Sequence, residues 1–316
     1  MAVKILTDVP LSEHTTYKIG GPARFFAEAK EEKEIAEIIE KYGANADGGK
    51  KIFILGGGAN VLFSDKGYDG LVLKISFLKM EIAGENTIRA GAGAKLIDVV
   101  KFSADHDLSG FEWAAGIPGY FGGAIRGNAG AFGGEIKDAL VSVRSIRIEE
   151  PEKTIEREND GKIFGYRTSI FKKAAKDEII LSADIRLSPG KEEDIRKKME
   201  LNMEYRKERQ PLEWPSAGST FKNVDVSKLT ENQKKELEAA IKTDPMPVIP
   251  AAFLIAQSGL KGKKIGGAQI SEKHPNFFIN TGNAKAEDVK ELIKLTKKTV
   301  KKKFGIEMEE EIQIVE

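Results

Sequence analysis

Residues 116–134, GIPGYFGGAIRGNAGAFGG, hold eight of the chain's 32 glycines. Ile117, Phe121, Ala124, Ile125, Ala129, Ala131 and Phe132 are interleaved with those glycines, so the stretch can pack and is no flexible linker. Glycine in an apolar setting means backbone that takes φ > 0 or that closely approaches something else. Bare backbone N–H groups in a row suit an anionic ligand such as a pyrophosphate. Taken alone, the stretch reads equally well as a set of buried turns or as an anion cradle.

Composition narrows the chemistry. The chain has 316 residues, 41% hydrophobic and 31% charged, which is ordinary for a globular protein of two or three domains. A net charge of +1 gives no reason to expect a nucleic-acid partner or attraction to anionic membranes. The absence of cysteine removes disulfides, thiolate nucleophiles and thiolate metal ligands. His14, His106 and His274 stand far apart in sequence, so no metal site is expected. Chemistry is left to carboxylates, hydroxyls, Arg, Lys or a bound cofactor. No stretch approaches about 18 apolar residues and the first ten residues lack a signal-peptide run, so a cytoplasmic location is the expectation.

Periodicity predicts strands at residues 23–29, 52–55, 71–75, 87–90, 141–148, 178–187, 276–280 and 311–315. Helices are expected at residues 31–42, 94–106, 191–209, 227–241, 250–258 and 286–304, the third of them linking two domains. Residues 45–50 read as a polar connection, and residues 149–161 as charged and turn-like. The irregular mixture is α+β.

The apolar run 52–55 ends in Gly56-Gly57-Gly58-Ala59-Asn60, a setting in which backbone amides commonly meet phosphate. It is no dinucleotide fingerprint, because Val61 stands where a third glycine belongs, and Leu96 does the same after Gly91. With no G-x-x-x-x-G-K-[ST] either, a nucleotide site here belongs to neither the Rossmann nor the P-loop architecture.

Three polar spots stand out. Phe164-Gly165-Tyr166-Arg167-Thr168-Ser169 puts an Arg among aromatics, either to cap a turn or to bind a carboxylate or phosphate. Around Ser219 the neighbours are small, leaving its hydroxyl accessible, with Lys222 and Asn223 at hand to hold an anionic or amide-bearing ligand. The segment is not a nucleophile elbow, since Phe221 takes the place of the second glycine. The third spot is Glu307, Glu309, Glu310 and Glu311, either a solvated edge strand or an active-site carboxylate. Alternation there puts Glu309 and Glu311 on one face and Glu310 on the other.

Taken as a set, the chain resembles the UDP-N-acetylenolpyruvoylglucosamine reductase family. The resemblance is carried by TTYKIGGPA (15–23), GGGANVLFSDKGYDGLVLKI (56–75), GIPGYFGGAIRGNAGAFGGEI (116–136), FGYRTSIF (164–171), QPLEWPSAGSTFKN (210–223), LIAQSGLKGKKIGGAQISEKHPNFFIN (254–280) and NAKAEDV (283–289). Any one glycine motif is weak evidence; seven in order through nearly the whole chain are strong.

The resemblance implies an FAD-binding fold of the vanillyl-alcohol-oxidase type, two α+β subdomains at residues 1–75 and 76–190. An α+β substrate-binding domain at 191–304 follows, with a strand at 305–316 returning to the active site. It implies FAD and NADPH as cofactors and UDP-N-acetylglucosamine enolpyruvate as substrate. Arg167, Ser219 as proton donor, and Glu311 become the catalytic set, although Glu310 replaces the family's usual proline beside Glu311. FAD then falls to Gly56, Gly57, Gly58, Ala59 and Asn60 together with Gly116, Pro118, Gly119, Gly122, Gly123, Asn128, Ala129 and Gly130. Lys222 and Asn223 fall to the substrate. The short spacing from Arg167 to Ser219 implies the family form without an extra tyrosine-bearing loop, so Tyr166 is given no covering role. Arg126 is left open, facing FAD phosphate or solvent. Two other readings stand beside this one: an FAD oxidoreductase of the same fold acting on another alcohol or sugar, and a catalytically silent nucleotide-binding protein.

Overall fold

The computed structural model describes residues 3–45, 51–243 and 246–316, so the polar connection expected at 45–50 lies, Asn45 apart, outside the described residues. The chain divides into two compact units. The first comprises residues 1–9, 23–57 and 69–205; the second comprises 10–22, 58–68 and 206–316.

In the first unit the strands Leu6–Pro10, Pro22–Ala29, Tyr68–Ile75 and Ile52–Leu55 form a sheet in that spatial order. The last two run parallel, with Ile52 opposite Leu71 and Leu55 opposite Lys74. Such pairing needs both faces covered, and the run Leu71, Val72, Leu73 is wholly buried. The helix Glu32–Asn45 presents Ile35, Ile38 and Tyr42 to the core, with Ile39 half-buried, as its 3.6-residue period requires.

A second, five-stranded antiparallel sheet has the order Glu150–Glu158, Leu140–Arg147, Glu178–Arg186, Thr87–Gly91, Met80–Gly84. The segment expected as a turn at 149–161 is therefore mostly an edge strand. Its charge hid the pattern, because an edge strand keeps polar side chains while its backbone pairs with one neighbour only. Arg157 shows the alternation: it reaches the buried Glu178 at 2.7 and 2.8 Å. The helix Leu96–Ala104 buries Leu96, Val99, Val100 and Ser103, the face its spacing predicts.

The second unit packs the sheet Ser216–Ser219, Phe277–Asn280, Ala268–Ile270, Lys264–Ile265 against the helices Ala251–Gln257 and Ala286–Phe304. The long helix buries Val289, Leu292, Ile293, Thr296 and Val300 and stops at Gly305, whose φ of 67° suits a glycine C-terminus. Its start is fastened by Asp65, whose carboxylate accepts from the amides of Ala286 (2.8 Å) and Glu287 (3.1 Å). The final strand is shorter than expected, Gln313–Val315, and runs parallel to Val61–Phe63. The helix expected at 227–241 is broken into Val226–Lys228, Glu231–Glu236 and Glu238–Ala240. Thr230 interrupts it, because its side chain caps the amide of Gln233 and begins a new helix there.

Candidate functional site

In the first unit the two glycine runs meet. A Cβ on Gly57 would lie 2.8 Å from Gly119 Cα, and one on Gly56 would be 3.6 Å from Tyr120 Cβ. At Gly57 only glycine lets the backbones approach so closely. Gly116 and Gly119 take φ of 80° and 110°, and Pro118 between them is exposed. Past them the helix Phe121–Gly127 begins, but its first amides are already satisfied: Phe121 N donates to Ala94 O and Gly122 N to Ala92 O. Gly122 is there to pack, since a Cβ would meet Ala92 Cβ at 2.7 Å. Gly123 is the reverse case; it is exposed, and a Cβ there would meet nothing within 4 Å. A close-packed glycine floor with one open position fits a flat anionic cofactor.

Asn128 follows that helix in left-handed conformation, φ 45°, and is fully buried. Its Oδ1 accepts from Lys137 N (3.1 Å) and its Nδ2 donates to Gly165 O (3.1 Å). These bonds commit the side chain to fastening the glycine stretch onto the loop that carries Arg167. Ala129 donates to Ala124 O and accepts from Ile136 N. Arg126, buried enough that desolvation draws its guanidinium below the usual arginine range, has its carbonyl tied to the Ser169 hydroxyl at 2.7 Å.

Arg167 also takes a left-handed φ, 53°. A non-glycine residue held there costs about 1 kcal/mol, so its surroundings must over-determine it. They do. Nη2 donates to Gly130 O at 2.6 Å and Nη1 to Asn128 O at 3.5 Å; the guanidinium lies 5.2 Å from the Tyr166 ring centre, and Lys172 Nζ donates to Arg167 O. Glu135 Oε1 stands 3.6 Å from Nη1, from a carboxylate whose side chain is 4% exposed.

In the second unit, the segment that follows Ser219 pairs with the segment that ends at Glu311. Residues 220–222 run antiparallel to 309–311: Lys222 N donates to Glu309 O (2.9 Å), Glu311 N to Thr220 O (2.8 Å), and Phe221 bridges Glu310. Asn60 adds to this, donating to Glu311 O and accepting from Gln313 N, both at 3.0 Å. Gly58, at φ 63°, could carry no side chain, because a Cβ would lie 2.1 Å from His14 O. The three glutamates sort by face, as alternation requires. Glu310 is bidentate with Lys297 on the long helix, at 2.8 and 3.0 Å, and Glu309 is ion-paired with Lys222.

Two of the expected ligand-holding groups have partners within the protein. The Lys222 ammonium is paired with Glu309, and Asn223 Oδ1 accepts from Ala251 N at 3.1 Å, capping the start of the Ala251–Gln257 helix. Ser219 is half-buried with φ 74° at the preceding Gly218, where a Cβ would meet nothing within 4 Å.

Sequence reading missed Asn276 and Glu135. Asn276, 3% exposed, accepts from Phe221 N (3.0 Å), donates to Phe221 O (2.8 Å) and offers its own carbonyl to Thr220 N (2.7 Å), so it clamps the backbone beside Ser219. Nothing in the surrounding segment marks an asparagine as buried. Glu135 caps the helix Ile136–Ala139 reciprocally with Asp138, and acidic residues three apart, just before an apolar residue, were the available signal. Among the described residues there is no group of three metal-ligating side chains and no helix long and apolar enough to cross a membrane.

Comparison with known proteins finds two family matches along the chain. Residues 23–149 match the FAD binding domain family, and residues 210–315 match the family described as UDP-N-acetylenolpyruvoylglucosamine reductase, C-terminal domain. The UDP-N-acetylenolpyruvoylglucosamine reductase of Caldanaerobacter subterraneus subsp. tengcongensis is 42% identical, over 99% of this chain and 94% of its own. That of Lachnoclostridium phytofermentans is 38% identical, over 99% and 93%. The crystal structure of the reductase from Thermus caldophilus superposes with a TM-score of 0.75 at 27% identity, covering 99% of both chains.

Proposed function

This chain belongs to the UDP-N-acetylenolpyruvoylglucosamine reductase family, and we propose that Arg167, Ser219 and Glu311 carry its reaction. The enzyme is an FAD-dependent oxidoreductase that reduces UDP-N-acetylglucosamine enolpyruvate to UDP-N-acetylmuramate in peptidoglycan precursor synthesis. FAD, when bound, relays reducing equivalents from NADPH to the enolpyruvyl double bond. Gly56, Gly57, Gly58, Ala59 and Asn60, with Gly116, Pro118, Gly119, Gly123 and Gly130, would line the FAD, while Gly122, Asn128 and Ala129 would shape the loop behind them. Residues 1–75 and 76–190 serve the cofactor, 191–304 serve the substrate, and 305–316 supply Glu311. We place the enzyme in the cytoplasm.

As the double bond is reduced, negative charge develops on the substrate carboxylate as an enolate. Arg167 binds that carboxylate, and its preset guanidinium is stabilising without reorganisation, by a few kcal/mol per donor in sites of this kind. Glu311, in its protonated form, donates a hydrogen bond to the developing enolate. Ser219 delivers the proton to the carbon next to the carboxylate. A serine hydroxyl is a weak acid, so the basicity of the enolate must drive the transfer. The observation that carries this reading is the antiparallel pairing of residues 220–222 with 309–311, which sets Thr220, the residue after Ser219, opposite Glu311.

Ser219→Ala tests it. Reduction of the bound flavin by NADPH should proceed nearly as in the wild type, while reduction of the enolpyruvyl substrate falls by about 10²–10⁴-fold. An equal loss in both half-reactions would remove Ser219 from the proton-donor role.

A further inference from the structure

Glu135 is the most deeply buried carboxylate beside the site, at 3% exposure, and the reaction outlined above gives it no part. A buried carboxylate is expensive unless it is paired and hydrogen-bonded. Glu135 is paired unevenly. One side is saturated: Lys137 Nζ lies 2.7 Å from Oε2, and the amide of Asp138 donates to the side chain in a capping box. The other oxygen, Oε1, receives no hydrogen bond and faces Arg167 Nη1 at 3.6 Å. So the carboxylate is fixed in place from behind and directs one bare oxygen at the guanidinium.

The backbone around it has been shaped for that contact. A Cβ on Gly130 would lie 2.7 Å from Glu135 Cγ and 3.0 Å from Arg167 Nη1, so a side chain at this position would push the pair apart. Gly130 pairs antiparallel with Glu135, which keeps Glu135 opposite the carbonyl that Arg167 Nη2 holds. Arg167 itself sits at a φ that L-residues avoid. The two neutral carbonyls of Asn128 and Gly130 hold two of its N–H groups. The negative charge of Glu135 adds a further contact, 3.6 Å from Nη1.

We propose that Glu135 is a positioning residue that acts through Arg167: its fixed, half-satisfied carboxylate holds the guanidinium oriented to receive the carboxylate of the substrate. This rests on the reading of Arg167 as the substrate-carboxylate site. Contact at 3.6 Å rather than 2.8 Å suits the task. It orients the arginine without a closed bidentate pair that the substrate would have to break.

The test compares two nucleotides that differ by the carboxylate. Calorimetric titration of the FAD-loaded protein with UDP-N-acetylglucosamine enolpyruvate, and with UDP-N-acetylglucosamine, gives Kd for each. In Glu135→Gln, which keeps size and can still accept the capping bond, the enolpyruvyl nucleotide should bind about tenfold more weakly and UDP-N-acetylglucosamine unchanged. Glu135→Asp, which keeps charge at shorter reach, should fall between. In an Arg167→Ala background the Glu135→Gln change should cost nothing further, since the residue it acts through is gone. Equal weakening for both nucleotides, or the same tenfold loss with Arg167 already removed, would overturn the proposal and leave Glu135 a helix cap. Should Glu135→Gln fail to fold, the Asp variant carries the comparison: unchanged Kd for the enolpyruvyl nucleotide overturns the proposal. Arg167→Ala alone discriminates between nucleotides only if the reading of Arg167 holds. An Arg167→Ala protein that binds both as the wild type does takes down that reading and the inference with it; a normal Glu135→Gln beside a weakened Arg167→Ala takes down the inference alone.

Discussion

The loops that carry Arg167 and Ser219 are each clipped by a buried asparagine, yet the two are built differently. Asn128 grips Gly165, two residues before Arg167, and Asn276 grips Phe221, two residues after Ser219. Both use an amide side chain to satisfy backbone groups that burial would otherwise leave unpaired. The difference lies in what they present. Around Arg167 the guanidinium is held by two carbonyls, a carboxylate and an aromatic ring. Around Ser219 the ordering acts on the backbone, through the neighbouring strand and residues 309–311, and the serine itself follows a glycine with open space beside it. In the roles proposed above, the group that offers fixed charge is ordered at its side chain, and the proton donor is ordered through its backbone.

The largest effect that could break this contrast is at Arg167. Arg167→Ala should slow reduction of the enolpyruvyl substrate about 10²–10³-fold in single-turnover measurements, with NADPH reduction of flavin little changed. Next come the clips. Asn276→Ala leaves the Phe221 amide and carbonyl unpaired in the core and should cost about 2–4 kcal/mol in denaturant unfolding. Asn128→Ala should cost a similar amount, part of it because alanine dislikes φ near 45°. Asn128→Gly should recover that backbone part and no more. If Asn128→Gly restores full stability, the side-chain bonds to Gly165 and Lys137 are not what hold the loop.

The glycine stretch separates into packing and open positions. Gly122→Val forces a side chain onto Ala92 and should destabilise the protein by about 1–3 kcal/mol. Gly123→Val should melt normally and lose flavin, read as the ratio of visible to ultraviolet absorbance. Full flavin content in Gly123→Val would make the stretch scaffold throughout. The smallest effect is a pH dependence at His274. Burial, aided by the charge of Lys242, holds its imidazole below the ordinary histidine range. The unfolded chain then binds a proton near pH 6.5 that the folded one resists, so stability falls as pH drops below about 6.5. Wild type should lose about 2 °C more in melting temperature than His274→Gln between pH 7.5 and 5.5; parallel curves would contradict the shift.

The elements legible in the sequence were those with one clear period and strong ends. The helix at 286–304 and its buried face were read directly, as were the apolar strand 52–55 and the strand 178–187. What escaped was set by distant partners. Residues 150–158 read as a charged turn because only pairing with Leu140–Arg147 makes them a strand. The partners of Lys222 and Asn223, Glu309 and Ala251, lie 87 and 28 residues away and left no local signal. Ser219 and Glu311 were given their roles by resemblance; that residues 220–222 would pair with 309–311 was not in any local pattern. Nor was the left-handed turn at Arg167, a conformation its residue type disfavours.

The most direct measurement is made on the wild-type protein under anaerobic conditions. NADPH should bleach the bound flavin, and UDP-N-acetylglucosamine enolpyruvate should then restore its colour with formation of one UDP-N-acetylmuramate per flavin. A flavin that NADPH reduces but the enolpyruvyl nucleotide leaves reduced would contradict the account.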